Sequence, residues 1–314
     1  MKIAVLDKQT LTDGDISLSV FEGFGEVSYA KTLKGSELID FIKDKDVVLL
    51  NRSILTRDIL ECCKALKYIG VFATGYNNVD IEYCKNNGIT VCNVPGYSTE
   101  SVVQLTICFI LMLCCNTESY SNYVKQGLWS FTADRTYFPF NITRLKNKTL
   151  GIIGMGNMGK RLAEIMSVFG MKIIYFSRTK KDLPYEFVTK EELFSRSDII
   201  SLHCPVNEET KEIINKESLK LCKDGLYLVN TSRGALINED DVCAALSSGK
   251  LQGYACDVVT NEPLTNNSPL FNAKNTIFTP HIAWADRDTR IELIDLVAKN
   301  LECFIKGEPI NKIV

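Results

Sequence analysis

Leu150–Arg178 reads LGIIGMGNMGKRLAEIMSVFGMKIIYFSR. Leu150 to Ile153 are apolar and suit a strand buried on both faces. Gly154, Gly156 and Gly159 follow in the spacing G-x-G-x-x-G. In that spacing the first glycine permits a tight turn and the second lets backbone approach a pyrophosphate. The third lets the following helix pack close to the strand. Leu162, Ile165, Met166 and Phe169 then recur at helical spacing. Gly170 ends the helix, and Met171–Phe176 reads as the next strand. Glycine turns are common, but a strand before, a helix after and a second strand closing the unit are the context of a dinucleotide site. Its pyrophosphate sits on the free N–H groups of the helix start.

Strands and helices alternate on both sides of this unit, which implies parallel sheets and an α/β class. Before it, strands are expected at Lys2–Leu6, Val47–Leu50, Tyr68–Ala73 and Thr90–Val94, with helices at Gly35–Lys43, Arg57–Leu66 and Val79–Asn87. Thr56 is expected to cap the second of these helices. A long helix should run from Glu100 towards Gly127, apolar almost all round between Val102 and Cys115 and so buried on several sides. Leu128–Lys148 is loop-like and carries Trp129, Phe131, Tyr137, Phe138 and Phe140. It is either an ordered loop on its own core or an arm that buries its aromatics on a second copy. After the glycine unit come strands at Asp198–Leu202, Leu226–Asn230, Gly253–Cys256 and Thr276–Thr279, and a closing helix over 287–306. Thr189 with Glu192 forms a capping box, and Asn238 caps the helix Glu239–Ser248.

The 314 residues suit two domains. A hydrophobic content of 46% and a charged content of 24% suit globular domains with sizeable cores. The net charge of −2 gives no case for nucleic acid or an anionic membrane. The longest apolar run, Val102 to Cys115, is too short to span a bilayer. The opening MKIAVLD reads as neither secretion signal nor transit peptide. Twelve scattered cysteines without a C-x-x-C read as small buried hydrophobes in a reducing cytoplasm, and no metal site is expected.

Only two histidines exist, His203 and His281. The strand pattern puts Arg233, Asp257 and His281 just past the ends of three strands, with Glu262 in the loop after one of them. Parallel α/β sheets present their ligand sites there. Taken singly, each has a structural explanation: a loop histidine, a solvated carboxylate, a surface ion pair. Together they form an acid–base and anion-binding set beside a dinucleotide. His203 also follows a strand, but without an acidic neighbour it reads as cofactor-lining or structural.

Four segments resemble the D-isomer-specific 2-hydroxyacid dehydrogenase family: LGIIGMGNMGKRLA (150–163), LVNTSRGALI (228–237), GYACDVVTNEP (253–263) and TPHIAW (279–284). Many dinucleotide-binding proteins share the first; the other three, in this order, are specific. Within the family the chain is most similar to the glycerate dehydrogenase / hydroxypyruvate reductase and glyoxylate reductase group. The resemblance implies a cytoplasmic homodimer, joined through residues 99–148. It implies two doubly wound parallel-sheet domains, a Rossmann cofactor domain (99–286) inserted into a flavodoxin-like substrate-binding domain (1–98 and 287–314). It also implies NAD(P)-dependent interconversion of 2-keto and D-2-hydroxy acids, hydroxypyruvate/D-glycerate or glyoxylate/glycolate leading.

By the same resemblance His281 is the acid/base, Glu262 its carboxylate partner and Arg233 the substrate-binding electrophile. Physical chemistry supports these roles independently. An imidazole can give or take the proton on the substrate oxygen, a carboxylate on its other nitrogen fixes the tautomer, and a guanidinium offers parallel donors. The resemblance also implies that Gly154, Gly156, Asn157, Met158 and Gly159 hold the pyrophosphate. Cys204 and Pro205 line the adenosine side, Thr231 and Ser232 the nicotinamide, and Asp257 contacts its carboxamide. Ser53, Ile54, Leu55, Thr74, Gly75 and Tyr76 hold the substrate carboxylate by backbone amides, with Arg233 and His281 on the substrate. Trp284 either walls the pocket or packs in the core. NAD-preferring members end the second strand in an acidic residue, whereas Phe176 stands at that place here. Arg178 can pair with a 2′-phosphate, assisted by Ser177 or Thr179, which favours NADP over NAD. The alternative for Arg178 is stacking on adenine or pointing to water. A reading from another class is a dinucleotide-sensing, corepressor-like binding protein on the same fold.

Overall fold

The computed structural model describes residues 1–314. The chain divides into two units, Met1–Ser98 with Ala285–Val314, and Thr99–Trp284. The returning segment begins at Ala285, two residues before the expected 287. The helix Arg287–Ile305 ties those residues to itself: Asp286 caps it by accepting from the Thr289 amide at 3.0 Å, and Arg290 Nε donates to the Ala285 carbonyl at 2.9 Å.

In the first unit, β1 (Lys2–Val5), β2 (Glu26–Tyr29), β3 (Val47–Leu50), β4 (Tyr68–Val71) and β5 (Thr90–Cys92) form one sheet. The order is β2-β1-β3-β4-β5, parallel throughout, the doubly wound flavodoxin-like arrangement. VVLL and YIGV are short apolar runs, and every residue of β3 and β4 is buried. Leu38, Ile42, Leu60 and Cys84 from the covering helices complete that core. β2 escaped the sequence reading because it is an edge strand, EVSY, no residue of which is fully buried. Thr56 does not cap as expected. Its carbonyl accepts from the amides of Ile59 and Leu60, whereas its hydroxyl makes no cap bond.

In the second unit, β6 (Thr149–Ile153), β7 (Lys172–Phe176), β8 (Glu186–Phe187), β9 (Ile199–Leu202), β10 (Leu226–Asn230), β11 (Leu251–Cys256) and β12 (Thr276–Phe278) lie in the order β12-β11-β10-β9-β6-β7-β8. Again all pairs are parallel. Counted from β6, this is the Rossmann order 3-2-1-4-5-6 with one further strand at the edge. The sheet has an apolar core on each face, one under Leu193, Leu219 and Val242, the other under Phe109, Leu162 and Met166.

The helix expected from Glu100 to Gly127 is broken. Thr99–Cys115 and Thr117–Lys125 meet at 59°, because Asn116 takes a left-handed backbone (φ 50°) and its side chain donates to the Asn141 carbonyl. Asparagine tolerates that conformation better than most residues. No single helix is long and apolar enough to cross a membrane. The aromatics of 128–148 divide between two fates. Phe140 and Tyr137 pack on Tyr120 and Tyr123 of the second helix. Phe131 and Phe138 stay 86% and 76% exposed, with Trp129 and Ile142 also open.

Candidate active site

Parallel strands deliver their following loops to one sheet edge, so the reversal of connection between β6 and β9 opens a crevice there. Gly154 donates to the Phe176 carbonyl at 2.8 Å and His203 to the Ile153 carbonyl at 2.7 Å, which seats the two loops side by side. Gly154 has φ 100°, and a Cβ there would fall 2.5 Å from the His203 backbone. A Cβ on Gly159 would meet the Gly154 carbonyl, which sets the helix against the strand. At Gly156 a Cβ would meet open space. The amides of Asn157, Met158 and Gly159 open a helix that has no side-chain cap and find no acceptor in the chain. An open approach over unpartnered amides at a helix start fits a pyrophosphate.

Around this crevice Cys204 is buried and its carbonyl accepts from the Ser232 hydroxyl at 2.8 Å. Pro205 is exposed. Thr231 is buried and shares a 2.9 Å hydrogen bond with Thr106 of the helix Thr99–Cys115. His203 Nε2 meets the Ser201 hydroxyl at 2.8 Å, and desolvation pushes the imidazole down to about 4. A ring kept neutral in this way is a poor proton donor near pH 7.

Arg233, Asp257, Glu262 and His281 follow β10, β11 and β12, three adjacent strands. Arg233 is placed by Asn230, whose amide donates to the Arg233 carbonyl at 2.9 Å and whose oxygen accepts from the Ser232 amide. The guanidinium gives one N–H to the Ser232 carbonyl at 2.7 Å; its other donors have no protein partner and the residue is exposed. His281 Nδ1 lies 2.7 Å from Glu262 Oε2, and both side chains are about 30% exposed. With Nδ1 engaged, Nε2 is the ring atom open to a ligand.

The structure gives Asp257 more to do than its sequence position suggests. Its carboxylate turns into the loop that carries His281, accepting from the Thr279 hydroxyl at 2.5 Å and from the Ile282 and Ala283 amides at 2.8 Å each. Its carbonyl accepts from the His281 amide at 2.9 Å. These bonds bracket a histidine with a left-handed backbone, φ 58°, a conformation uncommon for any residue with a Cβ. Asp257 therefore fixes the backbone from which the imidazole projects, and only one of its four or so lone-pair sites is left for a carboxamide. Trp284, half-buried, ends the same loop.

The first-unit loops need a larger correction. Asp7 is wholly buried, and its carboxylate accepts from the amides of Asn51, Arg52 and Ser53 and from the Ser53 and Thr32 hydroxyls. Leu55 is buried too, and its amide donates to the Asn78 carbonyl. Ser53 and Leu55 thus have no amide left for a ligand. The amides of Ile54, Thr74, Gly75 and Tyr76 donate to no protein acceptor.

At the tip of β7, the Ser177 hydroxyl donates to the Thr179 carbonyl at 2.7 Å and Lys181 Nζ to the Thr179 hydroxyl at 3.2 Å. These two hydroxyls shape the turn rather than stand free. Arg178 is exposed and makes no ion pair.

The NAD-binding domain model of D-isomer specific 2-hydroxyacid dehydrogenases matches residues 107–283, more than half of the chain. The chain belongs to the D-isomer-specific 2-hydroxyacid dehydrogenase family. Within that family it is 39% identical to a hydroxypyruvate reductase of Blautia hydrogenotrophica, over 99% of each chain. It is 36% identical to a glyoxylate reductase of Thermococcus litoralis, over 93% of this chain and 91% of that one. A crystal structure from Thermus thermophilus superposes over the whole of both chains with a TM-score of 0.90 at 32% identity. The dehydrogenase fold and the glycine cradle were legible from motifs; Asp7 was missed because its partners lie 25 to 46 residues away.

Proposed function

We propose that this 2-hydroxyacid dehydrogenase reduces hydroxypyruvate or glyoxylate with NADPH, as a cytoplasmic homodimer. The observation that carries the reading is the Glu262–His281 pair at the same sheet edge as an uncommitted guanidinium and an uncapped glycine cradle. When bound, NAD(P)H supplies the hydride that reaches the carbonyl carbon. Glu262 accepts from Nδ1 and so holds His281 with Nε2 towards the substrate, where it delivers the proton to the carbonyl oxygen. Arg233 spreads its free donors over the substrate's oxygens and stabilises charge as it develops. The product is a 2-hydroxy acid, and the imidazole is left neutral.

NADPH is favoured by what surrounds the β7 tip. No carboxylate stands between Phe176 and Lys181, and Arg178 is joined by Lys180 and Lys181 in the same turn. The deciding assay is a panel of hydroxypyruvate, glyoxylate, pyruvate and phosphohydroxypyruvate with NADH and with NADPH. Arg178→Ala is expected to raise KM for NADPH by about tenfold or more, the worth of one charge-assisted hydrogen bond, and to leave NADH nearly unchanged. An equal effect on both cofactors counts against a 2′-phosphate contact.

The homodimer is supported by the exposed Phe131, Phe138, Trp129 and Ile142 beside a helix, Thr117–Lys125, that buries none of its residues. So large an apolar display is unusual for a monomer. Light scattering should give a dimer for the native chain and a monomer for the Phe131→Glu, Phe138→Glu double variant. A native monomer would refute the assembly. Cytoplasmic placement is in keeping with twelve unpaired cysteines, seven of them buried and inert through desolvation to thiol pKa values above the ordinary range.

A further inference from the structure

Glu262 sits in a stretch, 260–268, that is exposed apart from Leu264 and Pro269's neighbour Ser268. Something must hold that stretch if a carboxylate on it is to meet His281 at hydrogen-bonding distance. Two features of the chain do so. Gly234, directly after Arg233, lies under the segment: a Cβ there would fall 2.0 Å from the Val259 carbonyl carbon and 2.3 Å from the Thr260 amide. The second is Glu239, the first residue of the helix Glu239–Ser248. One oxygen of its carboxylate accepts from the Thr260 amide and the other from the Ser268 hydroxyl, each at 2.9 Å. The two anchors bracket Glu262.

An acid in the first turn of a helix is ordinarily explained by the helix dipole. That explanation covers Asp240 and Asp241 equally well, and neither bonds to the 260–268 stretch. Glu239 alone spends both oxygens across the gap.

We propose that Glu239 is a positioning residue for the acid–base pair: it clamps the loop at Thr260 and Ser268 so that Glu262 reaches His281 Nδ1. The inference rests on the catalytic assignment of Glu262 and His281 and adds a residue to it. A loosened Glu262 leaves the imidazole free to turn or to change tautomer, which slows proton delivery and leaves binding of substrate and cofactor intact.

The test is a double-mutant cycle with kcat, KM and NADPH affinity measured for every variant, and with thermal unfolding as a check on folding. Glu239→Ala should lower kcat by about tenfold with KM and NADPH affinity within about twofold. Glu239→Gln keeps an acceptor for the Thr260 amide and a donor for Ser268 Oγ, so it should restore kcat to within about twofold of native. In a Glu262→Ala background, Glu239→Ala should cost less than about twofold more, because the group it positions is already gone. Ser268→Ala, which removes one anchor only, gives a milder loss of the same kind and serves if Glu239→Ala fails to fold. An equal loss in both backgrounds, or a native kcat for Glu239→Ala, overturns the proposal. A native kcat for Glu262→Ala alone overturns the catalytic assignment beneath it.

Discussion

His281→Gln is expected to lower kcat for the preferred 2-keto acid by about a thousandfold, within the range of one lost general acid. NADPH affinity, read by fluorescence quenching, should stay within about twofold of native, since the pyrophosphate and adenosine contacts lie elsewhere. The backbone at 281 is held by Asp257 through the loop amides and the 281 amide itself. The glutamine therefore starts from the same place as the imidazole. Its amide can still donate to Glu262, so the loop keeps its hydrogen bond, but it has no proton to give at the substrate oxygen. Glu262→Ala leaves the imidazole in place and removes only the acceptor on Nδ1, so its loss should be smaller, about ten- to a hundredfold. That ordering separates proton transfer from orientation. Turnover within about tenfold of native in purified, folded His281→Gln would end the acid–base assignment.

What the sequence carried was set by local physics. The glycines at 154 and 159 announce their function because only a residue without a Cβ fits the contacts with His203 and the Gly154 carbonyl. Arg233 and His281 fell at strand ends because apolar runs of four or five residues punctuated by helices leave little choice of topology. The capping box at Thr189 and the cap at Asn238 form as the three-residue spacing implies. What the sequence hid was non-local or marginal. The edge strands β2 and β8 bury too little to show a pattern. The break at Asn116 interrupts a run with the composition of one helix, and only the left-handed preference of asparagine hints at it. A backbone amide carries no signature of whether it is spent, so Ser53 and Leu55 could not be told from Ile54. Asp257 and Glu239 look, in sequence, like a ligand contact and a helix-start acid. Their hydrogen bonds to residues some twenty to thirty positions away give them structural roles beside the site.

Asp7→Ala is expected to destabilise the first unit by about 3 kcal/mol or more, the cost of orphaning several buried donors together. Five donors converge on this carboxylate, at 2.6 to 3.0 Å, and three are the consecutive amides of the loop after β3. The place is the reversal point of the β2-β1-β3-β4-β5 sheet, where β1 and β3 lie side by side and doubly wound sheets bind ligands. Here an internal carboxylate takes the place of a ligand and holds the loop shut around itself. Asp7 itself has a left-handed backbone (φ 59°), a conformation that aspartate tolerates better than most residues. Asn is no substitute, because its amide would point two donors at a ring of donors. Hydrogen exchange gives the local reading: the 51–53 amides are protected in the native chain and should exchange rapidly in Asp7→Ala, while those of β9 and β10 keep their protection. Asp15→Ala, which breaks an ion pair with Arg290 on the surface of the same unit, is the control and should leave the 51–53 amides protected. Protection at 51–53 that survives loss of the Asp7 carboxylate would show that the loop holds its shape without it.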